Sequence, residues 1–338
     1  MKEEPLLLLS DLQKLINQVV LIDYTIIILG GGEMKTKKHN WKRWLPLYLM
    51  MAPGLIYIFI NNYIPMFGTI IAFKHINYQK GILGSDWVGL KNFKFLFATN
   101  DAWVITRNTL LYNLAFIVIN TVVGIILAIF ICDVVSKKLK KLYQSAVLLP
   151  YLMSIVIISY IVFAFLSTEN GMVNNSLLIP FGKNPISWYA EPKYWPFILT
   201  LVNVWKGVGY GCLIYISAIN GIPKDYYEAA NLDGAGKWKQ IQCITLPSLV
   251  PSVITLTLLS IGRIFYSDFG LFYQVPLDSG TLYSTTNVID TYVYRALIKL
   301  GNVGMSSAAC LYQSVVGFVL VLTANLIVRK VSKENALF

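Results

Sequence analysis

The sequence predicts an all-α integral membrane protein with six transmembrane helices, and three observations predict it. The apolar residues come in blocks long enough to cross a bilayer. Only 13% of the 338 residues are charged, against about 25% in a soluble domain. Hydrophobic residues make up 56% of the chain, and the mean hydropathy is +0.59.

At 1.5 Å of rise per residue, about 20 residues cross a hydrocarbon core of about 30 Å. Six blocks meet that length: 45–64, 110–132, 146–166, 195–219, 249–265 and 308–328. Pro53 is expected to bend the first. The fifth is short, and its lower edge is weakly marked. Lys206 and Arg263 lie inside the fourth and fifth.

A net charge of +11 on a soluble chain would point to nucleic acid. Here the basic residues lie beside apolar blocks, so they read as topology signals and no nucleic-acid partner is expected. One side collects Lys35, Lys37, Lys38, Lys42 and Arg43, the run Lys137, Lys138, Lys140 and Lys141, then Lys224, Lys237 and Lys239, then Arg329, Lys330 and Lys333. The opposite loops carry fewer, and the first of them is long, which lowers its weight. Both termini are therefore expected in the cytoplasm, as an even number of spans requires.

Residues 1–33 fit neither a span nor a signal peptide, because Asp11, Lys14, Asn17 and Asp23 interrupt the apolar runs and no basic leader is present. The codons of Gly30-Gly31-Gly32-Glu33 are purine-rich and G-rich just before Met34, as a bacterial ribosome-binding site is. Translation is expected to begin at Met34, with 34–338 as the permease domain and 1–33 a gene-calling artefact. The alternative is an amphipathic surface helix.

Four scattered cysteines without a C-x-x-C pair read as free thiols, buried where they fall in apolar blocks, and two histidines exclude a multi-histidine metal site. The loops 67–108, 167–194 and 267–304, rich in aromatics, Gly and Asn, are expected to be folded. The short basic connection 136–143 reads as a topology signal.

The segment 223–247 carries the chemistry. Pro223 can open a helix, Asp225 and Glu228 favour its first turn, and Glu228-Ala229-Ala230 propagate it. Gly234 and Gly236 permit a reversal. Trp238, Ile241 and Ile244 then space out a second short helix with one apolar face, and Pro247 is expected to end it before the fifth span. The result is a helix–turn–helix lying on the inner surface of the membrane.

Glu228-Ala229-Ala230, then Gly234, Ile244 and Leu246-Pro247, resembles at every fixed position the EAA signature of importer-type ABC permease subunits. Further stretches resemble the LplB-like carbohydrate permeases, themselves akin to the maltose type. These are Trp44–Gly54, Asn61–Gly68, Trp87–Phe93, Ser267–Tyr273, Val288–Arg295 and Tyr312–Gly317, so the likeness runs from about Trp44 to the C-terminus. Ile241 stands where the signature often carries Phe, and stays apolar.

The resemblance implies the type I importer (MetI-like) fold in a bacterial plasma membrane, with a second permease subunit and an ATPase dimer. It also implies an extracellular solute-binding lipoprotein and an oligosaccharide substrate. Glu228 would be the charge contact with the ATPase, Ala229, Ala230 and Gly234 its close-packing surface, and Ile244, Leu246 and Pro247 the rest of the coupling element. No cofactor is expected on this chain, ATP and Mg being bound by the ATPase. Gly234-Ala235-Gly236-Lys237 is not a phosphate loop, since Trp238 follows the lysine and position 231 is Asn.

Polar groups inside spans are costly and tend to be functional or paired. Asn203, Lys206, Gly207 and Tyr210 share helical spacing, and Ser260 and Arg263 recur similarly in the fifth block. Amides and aromatic faces suit a sugar, and the maltose-type resemblance puts substrate contacts at about these positions. Lys206 and Arg263 depart from that type. They either touch an anionic sugar such as a uronic-acid oligosaccharide or pair with carboxylates. Asn113 and Asn120, seven apart in the second block, could line the path or pack against a neighbouring helix, as could Tyr312 and Gln313 in the last, and packing is the expectation. Two other classes remain to be weighed. An ion-coupled secondary carrier would need membrane carboxylates, which none of the six spans has at its middle. A polyprenol-linked sugar transferase would need a clustered catalytic set.

Overall fold

The computed structural model describes residues 41–331, so the segment 1–33 and the end of the basic tail lie outside the described residues. The chain divides into two units, Met1–Ile64 and Pro65–Phe338.

In the first unit, α1 (Trp41–Ile58) runs through Pro46 and Pro53 without ending, and is followed by a π-helical turn at Phe59–Tyr63. Among the described residues, five helical runs are long and apolar enough to cross a membrane, or six if one bent pair counts as a single span.

The second unit is built on α2 (Asp101–Asp133) and α5 (Trp195–Asn220), which pack along much of their lengths. Gly124 of α2 faces the Tyr215 ring of α5. Across its other side α5 meets α3 (Lys137–Leu152), where a Cβ at Gly209 would lie 2.3 Å from the Val147 carbonyl oxygen. In lipid, burying apolar surface drives helix association weakly, so close backbone approach at small residues contributes more. α8 (Val303–Val331) packs through Ala309 on Phe265, Ile289 and Tyr292 of the 265–300 region.

Two expected elements differ. The third span is not one helix: α3 meets α4 (Ile155–Leu166) at 96°. Met153 and Ser154 are extended, and Ser154 Oγ accepts the Val156 amide to start α4. The basic run expected as a connection is the first turn of α3.

The fifth run begins at Lys237 and ends at Ile261, not at residue 265. Pro247 does not stop the preceding turns. It sits in the first turn of α7 (Leu246–Ile261), after a π-helical turn at Ile241–Thr245 in which the Leu246 amide reaches the Ile241 carbonyl. The wider turn relieves the missing N–H and ring clash that a proline brings to a regular helix.

The connecting regions are folded, as their composition predicts. Lys74–His75 pairs antiparallel with Asp86–Trp87, and buried Asn92 donates to the Ala72 and Lys74 carbonyls. Asn174 organises residues 168–188 by donating to the Thr168 and Ile186 carbonyls and accepting from the Ile186 amide and the Trp188 indole. Asp278 and Arg295 form a nearly buried pair at 2.7 Å, joined by Lys299, with the guanidinium 4.2 Å from the Tyr283 ring centre. Of the cysteines only Cys212 is fully buried; Cys243 and Cys310 are exposed on the isolated chain.

Candidate functional site

The 223–247 segment forms the expected helix–turn–helix. Its first helix, α6 (Lys224–Leu232), starts after Pro223. Gly234 then takes φ +75°, the Ala235 amide reaches the Ala230 carbonyl, and the Gly234 amide reaches that of Asn231. This is a complete Schellman termination, and the left-handed backbone at its pivot is why glycine stands there.

Gln240 is buried inside the reversal and donates to Asn231 Oδ1 at 2.6 Å and to the Ala235 carbonyl at 2.9 Å. Tyr227 and Thr245 share a hydroxyl hydrogen bond at 3.0 Å. Lys237 pairs with Asp133 at the end of α2. That contact joins residues 104 positions apart, and no local pattern announces it.

Glu228 and Ala229 are exposed, and Ala230 is half-buried. Ile244 is half-buried, while Gly234, Leu246 and Pro247 are exposed. The expected single apolar face splits. Ile241 and Ile244 turn inward, while Trp238 (70% exposed), Leu232 (90%) and Tyr226 (61%) stand in the open. Glu228 has no ion-pair partner among the described residues. These apolar side chains stand in the open beside three exposed carboxylates, Asp225, Glu228 and Asp233, none of them ion-paired among the described residues.

A cleft of about 440 Å³ opens between α2, α5 and the end of α7. Asn203, Gly207, Tyr210, Ser260 and Arg263 line it, as do Asn113, Asn120 and Tyr266. Asn113 and Asn120 were expected to pack, and they do both. Asn113 Nδ2 donates to the Ile264 and Tyr266 carbonyls, and Asn120 Nδ2 donates to Asn203 Oδ1. Their spacing of seven, equal to that of Asn203 and Tyr210, was the signal that marked a shared face.

Arg263 is not in a span. α7 ends at Ile261, and Arg263 lies in the following turn with its amide on the Ser260 carbonyl. The turn carries it to the cleft. It is exposed and has no ion-pair partner among the described residues.

Lys206 is not among the residues that line the cleft. At 100° per residue it lies about 60° from Asn203 and about 100° from Gly207 around α5. Its ammonium hydrogen-bonds the Tyr151 carbonyl at 3.3 Å and sits 5.5 Å from the Tyr151 ring centre. Among the described residues it has no carboxylate partner. Tyr312 and Gln313 pack as expected, Tyr312 on Thr106 and Gln313 on the Phe265 carbonyl and Asp290.

A helical membrane bundle with a polar cleft between its spans and a docking element at one end is the build of a permease. The profile of the family described as binding-protein-dependent transport system inner membrane component matches residues 120–333, and the chain belongs to that family. The polygalacturonan/rhamnogalacturonan transport system permease protein YteP of Bacillus subtilis (strain 168) is 34% identical over 289 residues, covering 86% of this chain and 89% of YteP. Protein LplB of the same organism is 32% identical over 314 residues, covering 93% of this chain and 97% of LplB. In the crystal structure of a bacterial alginate ABC transporter in complex with alginate pentasaccharide-bound periplasmic protein, one chain is 32% identical to this one. It superposes with a TM-score of 0.78, over 88% of this chain and 99% of that one.

The chain is thus a permease subunit of an ABC importer, a multi-pass membrane protein with the type I importer fold. Neither a secondary carrier nor a sugar transferase is favoured.

Proposed function

We propose that this permease passes acidic oligosaccharides into the cell through the cleft beside α5. The observation that carries the reading is the lining itself: three amides, the Tyr210 and Tyr266 rings, and the unpaired Arg263. Amides match sugar hydroxyls, tyrosine faces match pyranose rings, and a guanidinium binds a carboxylate in bidentate fashion. Asn203, Gly207, Tyr210, Ser260 and Arg263 form the substrate path. Relatives named for polygalacturonan and alginate support an anionic cargo.

The chain supplies half of the path, and a second permease subunit supplies the other half. An ATPase dimer holding ATP and Mg docks on the 223–247 element, with Glu228 as its charge contact, Ala229, Ala230 and Gly234 as the close surface, and Ile244, Leu246 and Pro247 anchoring the element to α7. Hydrolysis belongs to that dimer. An extracellular solute-binding lipoprotein delivers the sugar to the opposite face. Residues 34–338 are the permease domain, with both termini and the 223–247 element in the cytoplasm of a bacterial cell. The Lys237–Asp133 and Lys140–Asn220 contacts support that orientation by drawing basic residues to one end. ATP binding draws the coupling elements together and turns the cleft from inward to outward, and hydrolysis resets it.

The test is uptake by proteoliposomes holding the full complex, with ATP supplied on the ATPase side. Uronate oligosaccharide should enter only with ATP, and Arg263→Met should raise KM for the acidic sugar more than for a neutral one. Uptake driven by an ion gradient would end the importer reading. Equal losses for both sugars would end the acidic one.

A further inference from the structure

The third span is broken, and the break leaves backbone carbonyls to be satisfied. When α3 ends at Leu152 and the chain runs extended through Met153 and Ser154, the last carbonyls of α3 lose the turn that would have satisfied them. The Met153 amide closes back on the Pro150 carbonyl. Within a membrane-spanning segment each carbonyl left without a donor is costly. Lys206, reaching across from α5, donates to the Tyr151 carbonyl. The ring of Tyr151 lies under the same ammonium and stacks on Tyr210, with centres 5.5 Å apart and planes at 20°. Tyr210 in turn is a wall of the cleft.

We infer that Lys206 is a positioning residue, a strut that satisfies the broken third span and holds its bend against α5, and that it does not touch the transported ligand. What the strut requires is a hydrogen-bond donor at the Tyr151 carbonyl, whereas a ligand contact requires the positive charge. The inference goes beyond the proposed substrate and stands whether the cargo is acidic or neutral.

The experiment uses the assembled complex, its four cysteines in this chain replaced, with spin labels at Leu142→Cys and Tyr160→Cys. Both positions are exposed, one on each side of the break. The interlabel distance distribution is measured for the parent, Lys206→Gln, which keeps a donor without charge, and Lys206→Met, which keeps neither. The parent and Lys206→Gln should give one narrow peak, and Lys206→Met should lose it. In uptake, Lys206→Met should lower Vmax about tenfold with KM unchanged, as loss of one hydrogen bond in the working state implies, while Lys206→Gln retains transport. A Lys206→Met distribution identical to the parent's overturns the inference. So does a Lys206→Gln variant whose KM rises for acidic sugar alone. Should Lys206→Met fail to insert, Lys206→Gln decides: a narrow peak supports the strut and a broadened one overturns it. The distance measurement needs no substrate, so failure of the proposed cargo is distinguishable from failure of the strut.

Discussion

Asn120 Nδ2 donates to Asn203 Oδ1 at 2.8 Å, joining α2 to α5 at the wall of the cleft. The same Asn120 donates to the Phe116 carbonyl, and its own Oδ1 is buried without a partner among the described residues. The pair is a structural tie with one acceptor left over. Asn203→Leu should cost about 1–3 kcal/mol through the orphaned Asn120 amide. It should also lower uptake while the complex still assembles. Asn120→Ala combined with Asn203→Ala should be less harmful than the sum of the two singles, a coupling read from a double-mutant cycle of uptake rates.

Glu228→Lys should leave the helices inserted and ATPase activity measurable while uptake falls to background, because it reverses the charge at the proposed contact with the ATPase. The quantity to measure is sugar moved per ATP hydrolysed. Gly234→Val should act on the same ratio by forcing a β-branched residue to φ +75°, a strain of about 1–2 kcal/mol.

Gly209→Leu should prevent proper packing of α3 on α5. The first added atom would already lie 2.3 Å from a backbone oxygen, and backbone cannot swing aside as a side chain does. A cost of about 3 kcal/mol would appear as a lower unfolding temperature in detergent, with Gly209→Ala intermediate. Gly207→Ala, whose added methyl would sit 3.5 Å from Asn120 Oδ1, should be tolerated.

Asp278 predicts an acid-sensitive clamp. Burial pushes its carboxyl up, but hydrogen bonds from Lys299 and Arg295 and the charge of Arg295 outweigh that and hold it below the usual carboxylate range. A folded-state value below the unfolded one stabilises the fold at neutral pH, and that contribution is lost as pH falls below about 4 through the folded value. Asp278→Asn should lower the unfolding temperature at pH 7 and flatten its fall towards acid pH. Removing one partner of so buried a pair is expected to cost about 3 kcal/mol.

Much of this protein was legible in its residues. Apolar block length marked the spans, because a bilayer imposes its thickness on every helix that crosses it. The spacing from Glu228 to Pro247 marked the helix–turn–helix, because caps, helix formers and a left-handed glycine act within a few residues of one another. Asn203, Gly207 and Tyr210 were found by helical spacing, which is local.

What escaped the sequence was set by contacts between distant segments. The break at Met153–Ser154 follows Pro150, a local signal carried inside a long apolar run, and it stands with Lys206 of another helix donating to the carbonyl at its edge. Pro247 looked like a stop, yet the π-helical turn before it carries the helix through. Asp133 found Lys237, and Arg263 reached the cleft from a turn rather than from a helical face. The sequence by itself determined the membrane-spanning, all-helical build and the helix–turn–helix of 223–247, because lipid thickness and local propensity act on neighbouring residues. Only the tertiary structure decided which polar side chains meet in the cleft and which brace the bundle, because that depends on how helices rotate and where they break against one another.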